Sequence, residues 1–514
     1  MSLIAALALA AASPPAGSCQ AALGPLHEGT AEDAMPGRVD GATLNAQSLA
    51  ALRRRRGAAT ITVVGGAFRN ADFRAARLRN VCFLDTDLSG SDWRGADASG
   101  VGFVRSNLAG AKLEGARMPF VLLREPKMEG VNAAAADFSG GRLDGGWDGS
   151  MDDVVLARAN LSRFEFACGI TIGDACVSGL RVDLRGADLT GARLSDWNGD
   201  AAYMGARIDG TRIALHQLRD VADANLAGPI LLAAGDVALP ISAADHAALL
   251  PRLAAAAVAP PDAPSFDCGR ARSRAERAIC AADAYELREL DRDLAAVYGR
   301  AAAANPAVAA RQRAWLAERE ACAPACLPRM YEARIGELIA GLGTPQWARS
   351  GARALFVSER TEFLDSFRTD PLYLKILPVI VADAAARVIV QVHADGTIDA
   401  DGDAIGGNAH SCSLGGERLR FDPRTGWYSG PFQRHPEDPP EWSERPMPVL
   451  RFIGDTAQVY RNGVSGWGEG SLDPRPSEAA SCGARAHFPH MVRVPVSDAE
   501  LDRMLAELAF DDGV

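Results

Sequence analysis

Several things are missing from these 514 residues. Beyond the first dozen positions, no stretch reaches the roughly 18 apolar residues that a membrane-spanning helix needs. There is no Gly-x-Ser-x-Gly, no His-Glu-x-x-His, no Gly-x-x-x-x-Gly-Lys and no Gly-x-Gly-x-x-Gly after a strand-like run. Those gaps set aside nucleophile-elbow hydrolases, zinc peptidases and nucleotide-binding enzymes. A basic excess is missing too: 54 Lys and Arg face 65 Asp and Glu, a net charge of −11. Such a balance argues against nonspecific nucleic-acid binding and mildly favours basic partners. Apolar content of 48% is ample for buried cores, and the length predicts two to four domains.

What is present starts with a rhythm. Phe68, Phe73, Leu78, Phe83, Leu88, Trp93, Ala98, Phe103, Leu108, Leu113, Met118, Leu123, Met128, Ala133, Phe138 and Leu143 stand five apart. A small residue often sits two places earlier, followed by Asp or Asn, as in Ala71-Asp72-Phe73, Ser106-Asn107-Leu108 and Ala136-Asp137-Phe138. Neither a helix nor a plain strand has period five; a short period with large and small apolar residues alternating indicates a solenoid. The register breaks near 144–153, 167–183 and 195–202, where Gly145-Gly146-Trp147 and Cys168-Gly169-Ile170 mark loops. It resumes at Leu156, Leu161 and Phe166, at Leu184, Leu189 and Leu194, and at Tyr203, Ile208, Ile213 and Leu218. The pattern resembles the pentapeptide-repeat family, whose unit is roughly Ala-(Asp/Asn)-Leu-x-x. The resemblance implies a right-handed quadrilateral β-helix over 59–231, with four repeats per coil. Both the large central residue and the small residue two before it point inward. Twenty residues per coil leave too little room for bulky groups at every position, and stacked coils pair at ~4.8 Å.

Met1 to Ser18 combines a short apolar run, Leu3 to Ala12, with Ser-Pro-Pro-Ala-Gly-Ser ahead of Cys19. This predicts a secretory signal peptide over 1–18, although no Lys or Arg precedes the run. Ala16-Gly17-Ser18-Cys19 also resembles a bacterial lipoprotein box, with Ala where Leu is usual, and makes Cys19 a lipidation candidate. The chain is therefore expected to be periplasmic or secreted, either free or held by a lipid anchor. Ten cysteines fit an oxidising compartment. Cys168 and Cys176, Cys268 and Cys280, Cys322 and Cys326, and Cys412 and Cys482 each fall within one proposed domain and are structural disulfide candidates. Cys19 and Cys82 remain, and sequence leaves the connectivity open. Cys322 and Cys326 have a ligand-like spacing, but no second Cys or His pair stands near them, so neither metal nor cofactor is expected.

Residues 19–58 read as an entry segment. Leu44 to Arg56 predicts a short helix whose closing Arg53 to Arg56 favours the helix dipole, and Thr60 to Val64 predicts a strand capping the solenoid. Residues 232–264 read as a Pro/Ala-rich linker, helical over Asp245 to Ala257 and semi-rigid at Ala259-Pro260-Pro261-Asp262-Ala263-Pro264. From 265 to 342 the period becomes 3.6, through Leu287, Leu290, Leu294 and Val297, then Gln312, Trp315, Leu316 and Arg319, then Tyr331, Ile335, Leu338 and Leu342. Asn305-Pro306 separates the first two helices, and four cysteines can staple so small a core. Phe266-Asp267-Cys268, Ala275 to Cys280, Leu290-Asp291, Gln312-Arg313-Ala314-Trp315-Leu316, Cys322, Cys326, Tyr331 and Arg334-Ile335 resemble the LprI-like lysozyme-inhibitor domain. That resemblance implies inhibition of lysozyme.

From 346 to 514 a helical lead-in (Arg353 to Phe367) is expected before a small, mostly-β domain. Its strand-like runs are Val379 to Val381, Val388 to Val392, Val449 to Phe452, Ala457 to Tyr460 and Met491 to Val494, with turns at Asp395-Gly396 and Asn462-Gly463. Ser497 is a good N-cap for a final helix. Cys412 to Glu417 and Cys482 to Ala486 resemble the C-terminal part of some longer LprI-domain proteins.

Candidate chemistry is sparse. His27, His216, His246, His393, His410, His435, His487 and His490 are scattered. A catalytic centre would have to use His487 and His490, three apart, or His410 beside Cys412, whose sulfur is better spent on a disulfide. Ser465-Gly466-Trp467-Gly468 lies in a Gly-rich loop; some unrelated lysozyme inhibitors insert a Ser-Gly loop into the enzyme cleft, whereas the plain reading is a hairpin loop. Asp399 and Asp401 read as a turn rather than a calcium loop. Asp267, Glu276, Asp283, Glu286 and Glu289 gather near the start of the helical segment, offset by Arg elsewhere in it. Together these features predict a non-enzymatic, exported envelope protein. It would block lysozyme or a related glycan hydrolase by steric occlusion, with the solenoid as a rigid scaffold; no residue of that contact is identifiable. The alternative is an assembly scaffold without inhibitory activity. A gyrase-binding DNA mimic, as in another branch of the repeat family, conflicts with an export signal and paired cysteines.

Overall fold

The computed structural model describes residues 13–23, 35–145, 151–167, 179–195, 200–234, 237–256, 263–358, 370–405, 411–431, 446–460, 480–482 and 488–511. The chain divides into two compact units, Met1–Ala254 with Pro378–Asp383, and Ala255–Leu377 with Ala384–Val514.

In the first unit, a short helix α1 (Cys19–Leu23) precedes β1 (Arg38–Asp40) and α2 (Ala46–Arg56). Then come β2 (Ile61–Val64), β3 (Val81–Leu84), β4 (Gly102–Val104), β5 (Leu122–Arg124), β6 (Arg142–Asp144) and β7 (Glu165–Ala167). These strands stack in order as one parallel sheet with β1 at its edge. Their register gives the coil length directly: Thr62 pairs with Cys82, Cys82 with Gly102, Gly102 with Leu122, and Leu122 with Arg142, each step twenty residues. The same face then runs from Arg142 to Glu165, to Arg193 and to Arg212. The steps of 23, 28 and 19 residues fall where the register was expected to break. Short strands β8 (Val182–Asp183), β9 (Ala201–Ala202) and β10 (Arg212–Ile213) complete the later coils.

Every central residue from Phe68 to Leu143 is buried. So are many small partners two places earlier, including Ala96, Ala111, Ala116 and Ala136. Aromatic rings stack along the interior: Phe73 on Trp93 at 4.3 Å and Phe83 on Phe103 at 5.6 Å between centroids. Trp93 satisfies its indole N–H on Ser91 Oγ at 2.8 Å, as a buried polar group must. The chain turns once per repeat, and the residue two after each centre is left-handed, from Asn70 and Ala75 through Gly90, Gly95 and Gly100 to Gly140. Glycine takes that conformation without the Cβ penalty that other residues incur.

Both ends of the ladder are closed. The strand expected to cap it, Ile61–Val64, is instead its first full rung; β1 covers it, and Thr62 Oγ1 donates to Pro36 O at 2.8 Å. Arg53, in the basic last turn of α2, is buried, and its guanidinium donates to the carbonyls of Ala59 (2.7 Å) and Arg79 (3.0 Å). At the other end the linker reading fails over its first part. β11 (Ile230–Ala234) adds to β10 in parallel, β12 (Val237–Ile241) returns antiparallel, and α3 (Ala243–Ala256) follows. His246 on α3 bonds Leu218 O at 3.0 Å. On β12, Pro240 offers no N–H, which blunts an edge open to further strands.

In the second unit, α4 (Arg274–Ile279), α5 (Tyr285–Ala304), α6 (Val308–Ala321) and α7 (Leu327–Leu342) enclose Ile279, Val297, Trp315, Tyr331 and Ile335. Ser273 caps α4 in a reciprocal capping box with Glu276. There follow β13 (Arg353–Ser358), α8 (Pro371–Ala382, of which Pro378–Ala382 falls in the first unit), β14 (Ala386–Val392), β15 (Ile398–Ile405), β16 (Ser411–Asp422), β17 (Trp427–Gly430), β18 (Met447–Ile453), β19 (Thr456–Val459), β20 (Ala480–Cys482), β21 (Met491–Val494) and α9 (Asp498–Asp511). Two expectations reverse here. Arg353–Ser358 is a strand rather than part of a helical lead-in, and Val379 to Val381 belong to α8 rather than to a strand. Short apolar runs carry no periodicity that separates the two.

The sheet order is β15-β14-β13-β21-β19-β18-β17-β16, and β16 pairs back onto β15, so eight antiparallel strands close a barrel; β20 lies on β16. An eight-stranded barrel is just wide enough for side chains to fill. The buried cluster of Phe356, Val388, Val390, Leu450, Phe452 and Met491 does so. Trp347 packs on Phe356 and Phe452 and donates to Gly454 O at 3.1 Å.

Ala75→Gly should raise stability by about 0.5–1 kcal/mol, because Ala75 is exposed and held at φ 53°. A urea midpoint that is unchanged or lowered would contradict the turn's role.

Candidate binding site

The helices bring together an open cleft of about 550 Å3. Its apolar surface comes from Phe266, Tyr298, Trp315 and Leu316, and Glu276 and Glu320 also line it. Trp315 stands edge-on to Tyr331 at 5.1 Å, while Leu316 is 38% exposed. Beneath it, Asp291 accepts from Ser265 N (2.8 Å), Ser265 Oγ (2.6 Å) and Tyr331 Oη (3.1 Å). Arg319 donates to Tyr331 Oη (3.0 Å) and Glu320 (2.9 Å). Ser273 Oγ donates to Glu320 at 2.8 Å. Backbone N–H groups of Ser273 and Arg272 hold the Glu276 carboxyl below the usual range. Burial would push Glu320 upward, but Ser273 and Arg319 bring it below that range. Burial, reinforced by Asp291, pushes the Tyr331 phenol well above its ordinary value. The cleft thus couples a greasy wall to two stabilised carboxylates, a combination suited to a basic side chain with an aliphatic stem.

The acidic group seen in the sequence does not form one face. Asp267 accepts from Gly269 N, Glu276 closes the capping box, and Glu289 pairs with His490 at 2.8 Å. Over 265–342 the sequence holds 12 Arg against 11 Asp and Glu, so attraction from this segment as a whole is absent. The solenoid is similarly balanced over 59–231, with 19 Lys and Arg against 22 Asp and Glu. Its charges pair along and across coils, as in Arg79–Asp97 at 2.5 Å, Arg105–Asp85 at 2.7 Å and Arg181–Asp153 at 2.6 Å. Carboxylates answered by guanidinium groups do not present the unbroken anionic array that nucleic acid does.

His490 is absorbed into a clasp between helices and barrel. Its Nε2 lies 2.8 Å from Glu289 and 3.8 Å from Asp293 on α5, and 3.0 Å from Gln458 Nε2 on β19. Arg451 on β18 is 2% exposed and meets Glu332 of α7 at 2.5 Å, Asp293 at 3.4 Å and the Trp427 ring at 4.4 Å. Ile453 joins the helical core, and a Cβ on Gly336 of α7 would stand 2.6 Å from Thr425 O. His410, His487, Cys168, Cys176 and Ser465 to Gly468 lie outside the described residues. Asp399 sits on β15, not in a turn: burial would push its carboxyl up, but Arg418 N–H (2.8 Å) and His393 (2.7 Å) hold it low. Asp401 is on the same strand, facing Ile389 in register. Among the described residues no cluster of His, Cys, Asp and Glu could hold a metal.

Cys268 bonds Cys280, and Cys322 bonds Cys326. Cys412 is disulfide-bonded and stands opposite Cys482 in the β16–β20 register. Cys19 is bonded to Cys82 and fully buried, a long-range pair that spacing alone gave no means of finding. The lipidation reading of Cys19 is corrected accordingly, since a sulfur in a disulfide cannot also carry a thioether.

Residues 65–95 and 82–118 match the family model for pentapeptide repeats, in eight copies. No curated protein matches the chain. Among solved structures, a trypsin-treated variant of QnrB1, a plasmid-mediated fluoroquinolone resistance protein, is 15% identical over 36% of this chain and 78% of that one, with TM-score 0.18. HetL, a pentapeptide-repeat protein involved in heterocyst differentiation regulation from the cyanobacterium Nostoc sp. strain PCC 7120, is 21% identical over 34% and 87%, with TM-score 0.16. Rfr23 from the cyanobacterium Cyanothece 51142 is 16% identical over 26% and 82%, with TM-score 0.14.

Removing the clasp's guanidinium would strand two buried or half-buried carboxylates. Arg451→Met should therefore cost about 3–5 kcal/mol of unfolding free energy. Equilibrium denaturation monitored by Trp fluorescence reads this, and a loss below about 1 kcal/mol would show that the pairing is dispensable.

Proposed function

We propose that this pentapeptide-repeat chain is an exported binding protein of a bacterial envelope. In this reading the solenoid is its rigid scaffold, and the α5–α6 cleft is the part that engages and occludes a basic glycan hydrolase such as lysozyme. The observation that carries the reading is the oxidised state. Among the described residues no cysteine is free, and such disulfide density belongs to oxidising compartments. The cleft supports the second half: Glu276 and Glu320 would receive a cationic head while Trp315 and Leu316 cover its stem. Because the helical segment has no net anionic excess, recognition is local to the cleft rather than steered from a distance. Its helices are braced by two disulfides and by the Arg451 clasp, so little ordering entropy is lost on contact. The second reading, an assembly scaffold without inhibitory activity, draws on the near-neutral, densely paired solenoid surface. It differs in one outcome, since partners would be retained without any effect on lysis.

Full-length oxidised protein should slow lysis of bacterial cell walls by a basic lysozyme at micromolar concentration. Leu316→Arg should weaken that effect at least tenfold by placing a cation at the cleft mouth, a change of about 1.4 kcal/mol or more. Unchanged lysis at micromolar protein would reject inhibition and leave the scaffold reading.

A further inference from the structure

We infer that the exported chain is cut between Ala12 and Ser13 and keeps Ser13–Ser18 as a strap, so that Cys19 is an internal, disulfide-bonded residue and never the mature N-terminus. This rests on the export reading above. Ser18 is fully buried. Its carbonyl accepts from Ala22 N at 2.9 Å and its Oγ from Ala21 N at 3.2 Å, so it starts and caps α1. Its own N–H donates to Pro15 O at 3.0 Å. One residue earlier, Gly17 O accepts from Thr60 Oγ1 at 2.9 Å, which ties the strap to the solenoid. The solenoid is shaped to receive it. A Cβ on Gly100 would stand 2.9 Å from Ser18 Cβ, and one on Gly102 would stand 2.5 Å from Cys19 Cβ. Beyond α1, Arg124 Nη1 donates to Leu23 O at 3.1 Å, and Cys19 and Leu23 cover Leu84, Val104 and Leu122 on the coil surface.

A cut between Ser18 and Cys19 is incompatible with this arrangement. The Cys19 amide donates to Gly100 O at 2.9 Å in a site with no solvent exposure. Cleavage there would turn that amide into an ammonium group with a single carbonyl to meet it, and would delete the cap. Burying a charge so poorly compensated is disfavoured. Lipid transfer would also claim the sulfur that Cys82 holds. In the alternative, the thiols of Cys19 and Cys82 lose two electrons and two protons to a disulfide-carrying oxidoreductase, which leaves as its dithiol. Ala10 and Ala12 are the small residues at −3 and −1 ahead of Ser13; the twelve-residue leader they close is shorter than the usual ~15–30 residues and has no basic flank.

One mass-spectrometric map tests this. Full-length chain would be expressed in a bacterium with a periplasm, isolated with thiols blocked, and digested by trypsin without reduction. The expected species is peptide 13–38 disulfide-linked to peptide 80–94, in the soluble envelope fraction. A peptide beginning at Cys19, with or without lipid mass, overturns the inference alone. So does an unlinked Cys19, or a linked pair starting at any other residue of the leader. A chain still beginning at Met1 overturns the export reading and this inference with it.

Discussion

A coil of about twenty residues that must return onto itself constrains everything in the first unit. Each of its four sides holds one inward pair of side chains, and the coil above fixes which backbone groups they sit between. A bulky residue at both inward positions would not fit, and a polar one must find a partner there. Trp93 fits because Ser91, two residues earlier on the same side, takes its indole hydrogen. The turn between sides needs a left-handed residue, and the chain supplies glycine at many of those positions while tolerating Asn70, Ala75 and Phe120 at others.

A ladder of this kind has exposed ends, which in β proteins invite unwanted pairing. Here each end is closed by elements that break the repeat: β1 and α2 at one, the β11–β12 hairpin and α3 at the other. The second unit solves the same problem by closure, since β15 pairs with β16 and leaves the eight barrel strands without a free edge. Its helices share a core and a buried charge clasp with the barrel, through Ile453, Arg451 and His490. The helical and β segments of this unit thus support one another, although their hydrophobic periods differ.

The repeat was legible because its constraint is local. Five residues decide each side of the coil, and all sixteen central positions from Phe68 to Leu143 are buried as the spacing required. The three helices were legible for the same reason, although Leu316 in the second stripe is 38% exposed rather than packed inside. Long-range pairing was not. Nothing near Cys19 or Cys82 identifies the other as its partner, and barrel closure depends on strands whose partners the sequence does not mark. Val379 to Val381 and Arg353–Ser358 exchanged roles because a short apolar run carries no period of its own. Of the candidate site, Trp315, Leu316 and Glu276 stood out in the sequence. That α6 would set Glu320 beside Glu276, with Arg319 and Ser273 holding it, required the folded helices.

The proposed function requires that this protein work outside the reducing cytosol, with its braces covalent. The most direct measurement is fractionation of intact cells followed by alkylation of the denatured, unreduced protein and intact-mass analysis. An envelope or extracellular protein that takes up no alkylating agent on any of its ten cysteines is expected. A cytosolic protein whose cysteines are all modified would contradict the proposed function.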